Sequence, residues 1–283
     1  MKRLIVTGDD FGLAVSVNEA IEVAHRSGIL SAASLMVGAP AAADAVERAR
    51  RLPTLRVGLH LVLVRGRAVL PATAIPALVN EHGEFSDNLV AAGFRFFFSP
   101  TARRQLEAEV RAQFAAFRQT GLPLDHVNTH NHMHLHPTVL SVILTVGRDF
   151  GLGAVRVPYE PPVRSLSVLG REVVGRVSDA LGLAPWIWLL KSRLRRAGIR
   201  ANDFLFGLRD TGAMDEPAVL RLLSRLPEGV TEMYFHPAAR RCPELVGLMP
   251  AYRHEHEFAA LVSPRVRAAL EREGIRPIGF RDL

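Results

Sequence analysis

The 283-residue chain is long enough to bury a large core, and its 48% hydrophobic and 22% charged residues are typical of a folded globular protein. Its single cysteine, Cys242, excludes an internal disulfide and fits a reducing compartment. The net charge of +7 permits an anionic partner, either a nucleic acid or a lipid surface. The N-terminus turns polar too soon for a signal peptide, and no run of about 18 apolar residues predicts a membrane span, so we expect a cytoplasmic protein.

Strand and helix patterns alternate along the whole chain. Strands are predicted at Leu4–Thr7, Ala33–Val37, Leu55–Leu59, Asp125–Asn128, Ala154–Val157, Asp203–Phe206, Val230–Phe235 and Ile275–Phe280. Helices are predicted at Val17–Arg26, Ala41–Arg51, Ala102–Gln119, Thr138–Phe150, Pro217–Leu226, Glu255–Val262 and Arg265–Glu273. This alternation favours parallel strands covered by helices. Seven or eight strands without a linker predict one domain over residues 1–283, a closed or nearly closed α/β barrel; the alternative is an open doubly wound sheet.

Polar side chains follow several of the predicted strands. Asp9 and Asp10 come after the first strand and His60 after the third. His130 and His236 follow the fourth and seventh strands in the same way. In a barrel of parallel strands these ends all lie on one face, where active sites form. We therefore expect the five side chains to converge.

The aspartate pair and the strand histidine each have a purely structural alternative. An Asp-Asp pair also serves as a helix cap with a solvated neighbour, and a lone histidine in an apolar strand is usually a satisfied core residue. In a metal hydrolase, by contrast, one carboxylate binds the cation while the other takes a proton from water. Taken alone, the pattern around Asp9, Asp10 and His60 leaves both interpretations open.

Four histidines alternate between Thr129 and Pro137; they are His130, His132, His134 and His136. On an extended segment this alternation puts all four side chains on one side. Imidazoles packed without partners are costly in a core, so the pattern indicates solvent or a metal. We expect one metal ligand, one or two contacts to ligands or substrate, and one structural histidine; the alternative is an exposed histidine-rich turn.

Four motifs, in this order, resemble those of the YdjC-like, or ChbG-type, carbohydrate deacetylases. They are Val6–Gly12, Val57–Leu61, His130-x-His132-x-His134 and Phe235-His236-Pro237, and their order and spacing extend over nearly the whole chain. Where that family usually has an aspartate, two residues before the first histidine, this chain has Asn128. Asn128, with the segments Arg156–Glu160 and Phe206–Met214, resembles the HpnK branch associated with hopanoid biosynthesis.

The resemblance implies a distorted (β/α) barrel that removes an acetyl group from an N-acetylated amino sugar. In the hopanoid branch the implied substrate is an N-acetylglucosaminyl hopanoid, which would release acetate and a free amine. The alternative substrates are soluble chito-oligosaccharides such as diacetylchitobiose. We expect Asp10, His60 and His130 to bind one divalent ion, with Zn²⁺ favoured over Mg²⁺ because two imidazoles and one carboxylate suit the softer cation. Asp9 is the predicted general base and His236 the predicted general acid.

Five further residues are expected to contact the substrate or to support the ligands. An asparagine at position 128 can hydrogen-bond an imidazole, but it supplies no charge. Arg156 and Glu160 are predicted to orient the sugar or the base. The residues in this group are Asn128, His132, His134, Arg156 and Glu160.

The segment Trp186–Arg196 joins two tryptophans and several aliphatic residues to four basic residues. It fits a helix that lies in the interface of an anionic lipid leaflet. The apolar stretch Phe94–Phe98 is a second candidate for membrane contact. The alternative for Trp186–Arg196 is an ordinary amphipathic barrel helix with a basic outer face. A glycosylated hopanoid would make peripheral contact with the inner membrane surface sensible. No recognised nucleic-acid motif accompanies the basic charge, so we expect no nucleic-acid partner. The sequence does not give the oligomeric state.

Overall fold

The computed structural model of the chain describes residues 2–161 and 173–283, with the backbone alone over 173–181. The strands of the described residues are β1 (Lys2–Phe11), β2 (Ala32–Leu35), β3 (Arg56–Leu61), β4 (Val127–Thr129), β5 (Phe204–Phe206) and β6 (Gly229–Phe235). The α-helices are α1 (Val15–Ser27), α2 (Ala42–Arg50), α3 (Leu89–Phe98), α4 (Pro100–Gln119), α5 (Pro137–Arg148), α6 (Val173–Arg196), α7 (Glu216–Leu223), α8 (Pro243–Leu248), α9 (His254–Val262) and α10 (Pro264–Arg272). Short 3₁₀ helices span His130–Leu135 and Phe280–Asp282.

The strands of the described residues form one six-stranded parallel sheet in the order β4-β3-β2-β1-β6-β5. Residues 154–159 lie between its two edge strands. The Val127 N–H of β4 donates to the Ala154 carbonyl (3.0 Å), and the Leu205 N–H of β5 donates to the Tyr159 carbonyl (2.8 Å). This segment therefore closes the curled sheet into a distorted barrel, which confirms the predicted fold class.

Two of the eight predicted strands are not regular strands. The Ala154–Val157 segment makes isolated bridges only, because the Val157 N–H donates to the side chain of Asn202 (2.7 Å) instead of to a neighbouring strand. The Ile275–Phe280 segment makes one bridge, between Pro277 and Leu4. Proline has no N–H to continue a ladder, so pairing stops there.

The stretch before α4, for which no strand or helix was predicted, contains one further helix, α3. The Asn88 side chain caps this helix by accepting a hydrogen bond from the Ala91 N–H (2.9 Å). Helix α4 follows immediately and begins at Pro100, a residue that favours the first turn of a helix. Among the described residues, none of the helices combines the length and the apolar character needed to cross a bilayer.

The side chains of β1 alternate between two environments. Leu4 and Val6 belong to the large core shared with the helices, whereas Ile5 belongs to a small separate cluster. That cluster plugs one end of the barrel interior and is formed by Ile5, Ala32, Ala154, Val230 and Phe280. Beyond the plug the interior becomes polar, beginning with the Thr7 hydroxyl, which donates to Glu232 (2.7 Å). The strands thus lead from an apolar plug to a polar network at their carboxyl ends.

Candidate metal centre

The carboxylate of Asp10 and the imidazoles of His60 and His130 meet at the carboxyl ends of β1, β3 and β4. Asp10 Oδ1 lies 3.4 Å from His60 Nε2 and 3.4 Å from His130 Nδ1. The two ring nitrogens are also 3.4 Å apart. All three residues are buried. Their donor atoms therefore form an equal-sided triangle.

Among the described residues, Asp10 lacks the hydrogen-bond donors that a buried carboxylate needs. Neither of its oxygens accepts a hydrogen bond of normal geometry from any described residue. Burial alone would raise the pKa of Asp10, but the neighbouring imidazoles, that of His130 foremost, lower it to about 2. A buried, ionised and unpaired carboxylate is costly unless a cation neutralises it. The donor set of Asp10, His60 and His130 thus fits a divalent metal ion.

An unusual backbone conformation brings the two aspartates together. Asp9 and Asp10 lie inside β1, which runs two residues past Asp9 to Phe11, and not after it as predicted. In a regular strand their side chains would point to opposite faces. Asp10 instead has a φ of 61°, and the β1–β2 register shifts between Gly8 and Phe11. This irregularity allows both carboxylates to reach the interior site.

Asn128 determines the tautomer of His60. It lies opposite His60 in the β3–β4 register, and its Oδ1 accepts the His60 Nδ1–H (2.7 Å). The lone pair on His60 is therefore at Nε2, the atom that faces Asp10. The Asn128 amide nitrogen donates to Asp9 Oδ1 (3.2 Å) and to Ser34 Oγ (2.9 Å). Asn128 thus supports His60 and Asp9, not the nearby His130.

This support continues deeper into the barrel through residues that the sequence did not single out. The Ser34 hydroxyl donates to His126 Nε2 (3.1 Å), and His126 Nδ1–H donates to Asp125 Oδ2 (2.9 Å). Asp125 also accepts the backbone N–H groups of the terminal 3₁₀ helix, and the His126 ring stacks on Phe280 at 4.5 Å. Each member of this chain therefore donates its hydrogen to the next, from the candidate ligand His60 down to Asp125. We name this chain the His60–Asp125 relay; its members are His60, Asn128, Ser34, His126 and Asp125.

A glycine makes room for this relay. A Cβ on Gly58 would lie 2.5 Å from the ring of His126, much closer than van der Waals contact. The glycine in the Val57–Leu61 motif is therefore required by the His126 ring on the adjacent segment. In the sequence, only this glycine and the Asp125-His126 pair just before Asn128 pointed to the relay.

Asp9 is held by a buried guanidinium. Arg156 Nη1 donates to Asp9 Oδ2 (2.6 Å) and Nη2 donates to Asp9 Oδ1 (3.0 Å). The same guanidinium binds Glu232 through Nε and Nη2 at 2.7–3.1 Å and lies 4.9 Å from the centre of the Tyr234 ring. Burial would raise the pKa of Asp9, but Arg156 holds it far below its usual range. Arg156 is 0% exposed, so it orients Asp9 and does not reach a bound sugar.

His236 approaches the other oxygen of Asp10. Its Nε2 lies 4.0 Å from Asp10 Oδ2, and burial lowers the pKa of its imidazole. Its peptide group is fixed on both sides: the N–H donates to Glu257 (2.6 Å), and the carbonyl accepts the His254 Nδ1–H (2.7 Å). Burial raises the pKa of Glu257 to about 7. His254 and Glu257 lie in α9, and no sequence pattern linked them to His236.

The prediction that four histidines share one side of an extended segment is wrong. Asn131 and His132 both have a φ of 53°, and the chain curls into a 3₁₀ turn that ends where Pro137 begins α5. His134 is structural: its Nδ1 accepts the Thr129 hydroxyl (2.7 Å) and its Nε2–H donates to the Arg156 carbonyl (3.0 Å). The other two rings are not part of the candidate ligand group. His132 lies edge-on to Tyr234 at 5.7 Å, and His136 lies edge-on to Phe96 and Phe97.

Strained backbone concentrates around this centre. Every non-glycine residue with positive φ in the described parts of the chain either is a candidate ligand or lines the cavity above it: Asp10, Arg65, Asn131 and His132. Such conformations cost about 1–3 kcal/mol each and persist where the surrounding structure enforces them, which is frequently at functional sites.

The cavity above the centre has a volume of about 340 Å³ and is lined by Asp9, His60, His130, His132, His236 and their neighbours. It shares Leu89 and His132 with an apolar cavity of about 500 Å³ beside α3. It shares Arg65 and His130 with a third cavity of about 600 Å³. Glu160 lies at the edge of the cavity above the centre, where its carboxylate accepts a hydrogen bond from the N–H of Leu208, one of the residues that line this cavity (2.9 Å).

Comparison with known proteins assigns the family. The chain matches the model of the YdjC-like protein family over residues 3–272. It belongs to the YdjC-like family. A carbohydrate deacetylase from Geobacillus stearothermophilus is 30% identical over 98% of this chain and 96% of its own length. Carbohydrate deacetylases from Brevibacillus brevis and Vibrio cholerae are 37% and 35% identical over 56% and 61% of this chain; the matches span 59% and 62% of their lengths.

Solved structures agree with the fold of this YdjC-like chain. An Enterococcus faecalis protein named for cellobiose-phosphate cleavage aligns with a TM-score of 0.77 at 25% identity, over 99% of this chain and 98% of its own. A lactam utilization protein from Thermus thermophilus aligns with a TM-score of 0.51 at 17% identity, over 99% and 100% of the two chains, and indicates the fold alone.

Proposed function

We propose that this YdjC-like protein is a metal-dependent N-deacetylase that hydrolyses the acetamide of an amino sugar to acetate and a free amine. The observation that carries the proposal is the donor-free Asp10 carboxylate in a triangle with His60 Nε2 and His130 Nδ1. The relative from Geobacillus stearothermophilus, named a carbohydrate deacetylase, matches over nearly the full length of both chains and supports the substrate class.

Zn²⁺ is the cation that we propose for the site. A tetrahedral ion with bonds of about 2.0–2.1 Å separates its ligands by about 3.3–3.4 Å. The observed donor spacing of 3.4 Å matches this value. Octahedral Mg²⁺ with bonds of about 2.0–2.1 Å would separate neighbouring ligands by about 2.9 Å, and it prefers oxygen to imidazole nitrogen.

The ion, when bound, would polarise the acetamide oxygen and acidify a water molecule. Asp9 is ionised and is held by Arg156 and Asn128 at the floor of the cavity, where it accepts a proton from the attacking water. The leaving nitrogen needs a proton to depart as an amine. His236 Nε2 lies 4.0 Å from Asp10 Oδ2, and its peptide group is fixed by α9. The carboxylates of Asp10 and Asp9 favour its protonated form against the effect of burial, and this imidazolium would give its proton to the leaving nitrogen and become neutral.

For the sugar's aglycone we propose a hopanoid, so that the substrate is an N-acetylglucosaminyl hopanoid. The apolar cavity beside α3 supports this choice, because it adjoins the site cavity at Leu89 and His132 and offers space for an apolar group. Soluble chito-oligosaccharides are the second candidate. The third cavity favours them, since Arg67, Glu84 and Asp87 in its lining offer hydrogen bonds to further sugar units.

The test combines metal analysis with acetate release from the two substrates. We expect the Zn²⁺-loaded chain to bind one ion and to release acetate from the glycosylated hopanoid faster than from diacetylchitobiose. Asp9→Asn should retain the ion and lose at least about 100-fold in turnover. His60→Ala and His130→Ala should lose the ion, whereas His82→Ala, on an exposed loop, should change neither quantity. Normal turnover by metal-stripped Asp9→Asn protein would refute the proposal, and faster turnover of diacetylchitobiose would refute the hopanoid assignment.

A further inference from the structure

Helix α3 presents an apolar stripe to solvent. Val90, Phe94, Phe97 and Phe98 follow one another at helical spacing and are 48–69% exposed. Trp186 of α6 is 45% exposed and lines the same apolar cavity as these four residues. We call these five side chains the aromatic patch. It contains half of the ten large apolar side chains that are exposed in the described parts of the chain. Because all five line one cavity, they form a contiguous apolar surface and are not scattered singly.

Two arginines bind backbone carbonyls at the aromatic patch. Arg103 donates to the Phe97 carbonyl (2.6 Å) and Arg193 donates to the carbonyl of Pro137, which lines the cavity (3.1 Å). Neither α3 nor residues 182–196 of α6 contain an aspartate or glutamate. An apolar surface with basic side chains at its rim complements the acyl and headgroup regions of an anionic leaflet.

We propose that the aromatic patch docks the protein on the surface of an anionic phospholipid bilayer, with the Phe side chains and Trp186 at the level of the acyl boundary. The apolar cavity opens within the patch and adjoins the site cavity. Docking would therefore bring the metal centre close to the membrane interface. This binding does not require the proposed deacetylation, so the two proposals fail separately.

The two tryptophans of the chain permit a direct test. Trp188 lies about 200° around α6 from Trp186, on the opposite side of the helix, so the two residues can be separated experimentally. In a Trp188→Phe background, Trp186 is the single tryptophan and reports from within the patch. With vesicles of phosphatidylcholine containing about 30% phosphatidylglycerol, we expect its emission to shift to the blue and the metal-loaded chain to co-sediment. In the reciprocal Trp186→Phe background the emission should shift much less.

A matched pair of double variants identifies the surface. Phe94→Ser with Phe98→Ser should lower the vesicle partition coefficient at least about tenfold, since each exchange removes an interfacial ring. Val15→Ser with Val23→Ser, on the exposed face of α1, should leave it unchanged. Raising the salt from about 0.1 to 0.5 M, or omitting the anionic lipid, should weaken binding of the unmodified chain.

Three results would overturn the proposal. One is the absence of binding to the anionic vesicles, and another is equal binding by the Phe94→Ser/Phe98→Ser variant. The third is a dimer whose Trp186 emission is already shifted to the blue without vesicles and does not respond to them. That result would assign the patch to a second copy of the chain. Retained Zn²⁺ content and thermal stability of each variant exclude misfolding as the cause of lost binding.

Discussion

Replacing Arg156 with methionine would leave two buried carboxylates without their shared partner. The guanidinium makes five hydrogen bonds of 2.6–3.1 Å to Asp9 and Glu232, and all three side chains are at most 3% exposed. Breaking a buried ion pair from one side costs about 3–5 kcal/mol. At roughly 2–4 °C per kcal/mol for a chain of this size, we expect Arg156→Met to lower the Tm by about 6–20 °C.

A double-mutant cycle separates this network effect from simple truncation. Glu232→Gln keeps the Asp9–Arg156 pair and the shape of the side chain, so it should cost only about 1–2 kcal/mol. In the Arg156→Met/Glu232→Gln variant only Asp9 is an unpaired charge, so the combined loss should be smaller than the sum by at least about 1 kcal/mol. Denaturant unfolding of the metal-free proteins measures all three values. Arg104→Met, which removes an exposed arginine, is the matched control and should change stability by less than about 0.5 kcal/mol.

Additive losses within about 0.5 kcal/mol, or a loss below about 1 kcal/mol for Arg156→Met, would refute the reasoning that a buried charge network holds Asp9. Either result would mean that Asp9 and Glu232 find other partners, or take up protons at little cost, when the guanidinium is absent.

Three shorter predictions follow from the same contacts. Ser34→Ala interrupts the His60–Asp125 relay and should weaken Zn²⁺ binding at least about tenfold in a chelator competition; unchanged affinity would exclude a role for the relay in orienting His60. Gly58→Ala forces a Cβ against the His126 ring and should cost about 1–3 kcal/mol of unfolding free energy, whereas Gly247→Ala, with no described atom within 4 Å of its added Cβ, should cost less than about 0.5 kcal/mol. Chelating the metal should lower the Tm, because Asp10 loses its counter-charge. The free energy of unfolding should fall by about 4 kcal/mol relative to a sample in which the ion is present at about 1,000 times its Kd.

The convergence of the candidate ligands was predictable because the strands are parallel. Asp10, His60 and His130 are far apart in sequence, but each belongs to the carboxyl end of a strand, and parallel strands carry those ends to one edge. The order of the strands was not needed for this step. The predicted convergence therefore did not depend on the two expected strands that are irregular segments with isolated bridges in the structure.

The backbone conformations at the site could not be predicted from hydrophobic patterns. Period-two alternation applies only to regular extended chain, and the site departs from it at Asp10 and over Asn131-His132. Left-handed residues other than glycine are stabilised by their tertiary surroundings, which local sequence does not contain. For this reason the alternation of the four histidines was visible but misleading.

The contact between Arg156 and Glu232, and which of the residues Phe94–Phe98 are exposed, could not be predicted for two other reasons. Arg156 and Glu232 are 76 residues apart, and only the closed barrel places them together. A glutamate inside the apolar strand Val230–Phe235 was the single local signal. The apolar run Phe94–Phe98 was visible, but whether its side chains face the core or solvent depends on how α3 packs. Phe96 is buried while Phe94 and Phe98 are exposed, so the same run of phenylalanines contributes to the core and to the solvent-exposed surface.

Asn128 links the candidate ligand His60 to Asp9, and a substitution there tests this link directly. Its carbonyl oxygen accepts the His60 Nδ1–H, and its amide donates to Asp9 Oδ1 at 3.2 Å. Asn128→Asp keeps the acceptor for His60 but places a second carboxyl beside Asp9. Because Arg156 holds Asp9 ionised, the introduced carboxyl should carry the proton, and its pKa should lie above that of an ordinary aspartate.

The consequence of this substitution is an additional pH dependence of Zn²⁺ affinity, which appears in the ratio of the affinities of the variant and the unmodified chain. Below the raised pKa the introduced group is a neutral carboxylic acid, nearly the shape of the asparagine amide, and Zn²⁺ affinity should match that of the unmodified chain. As the pH rises through that pKa the group becomes a charged acceptor for His60, which makes the imidazole a better ligand, so the affinity ratio of variant to unmodified chain should rise by about tenfold. Asn128→Leu, which removes the acceptor without adding charge, should bind Zn²⁺ more weakly at every pH. Chelator competition between about pH 5 and 9 measures both ratios, and a pH-independent ratio for Asn128→Asp would mean that position 128 does not act on the metal through His60.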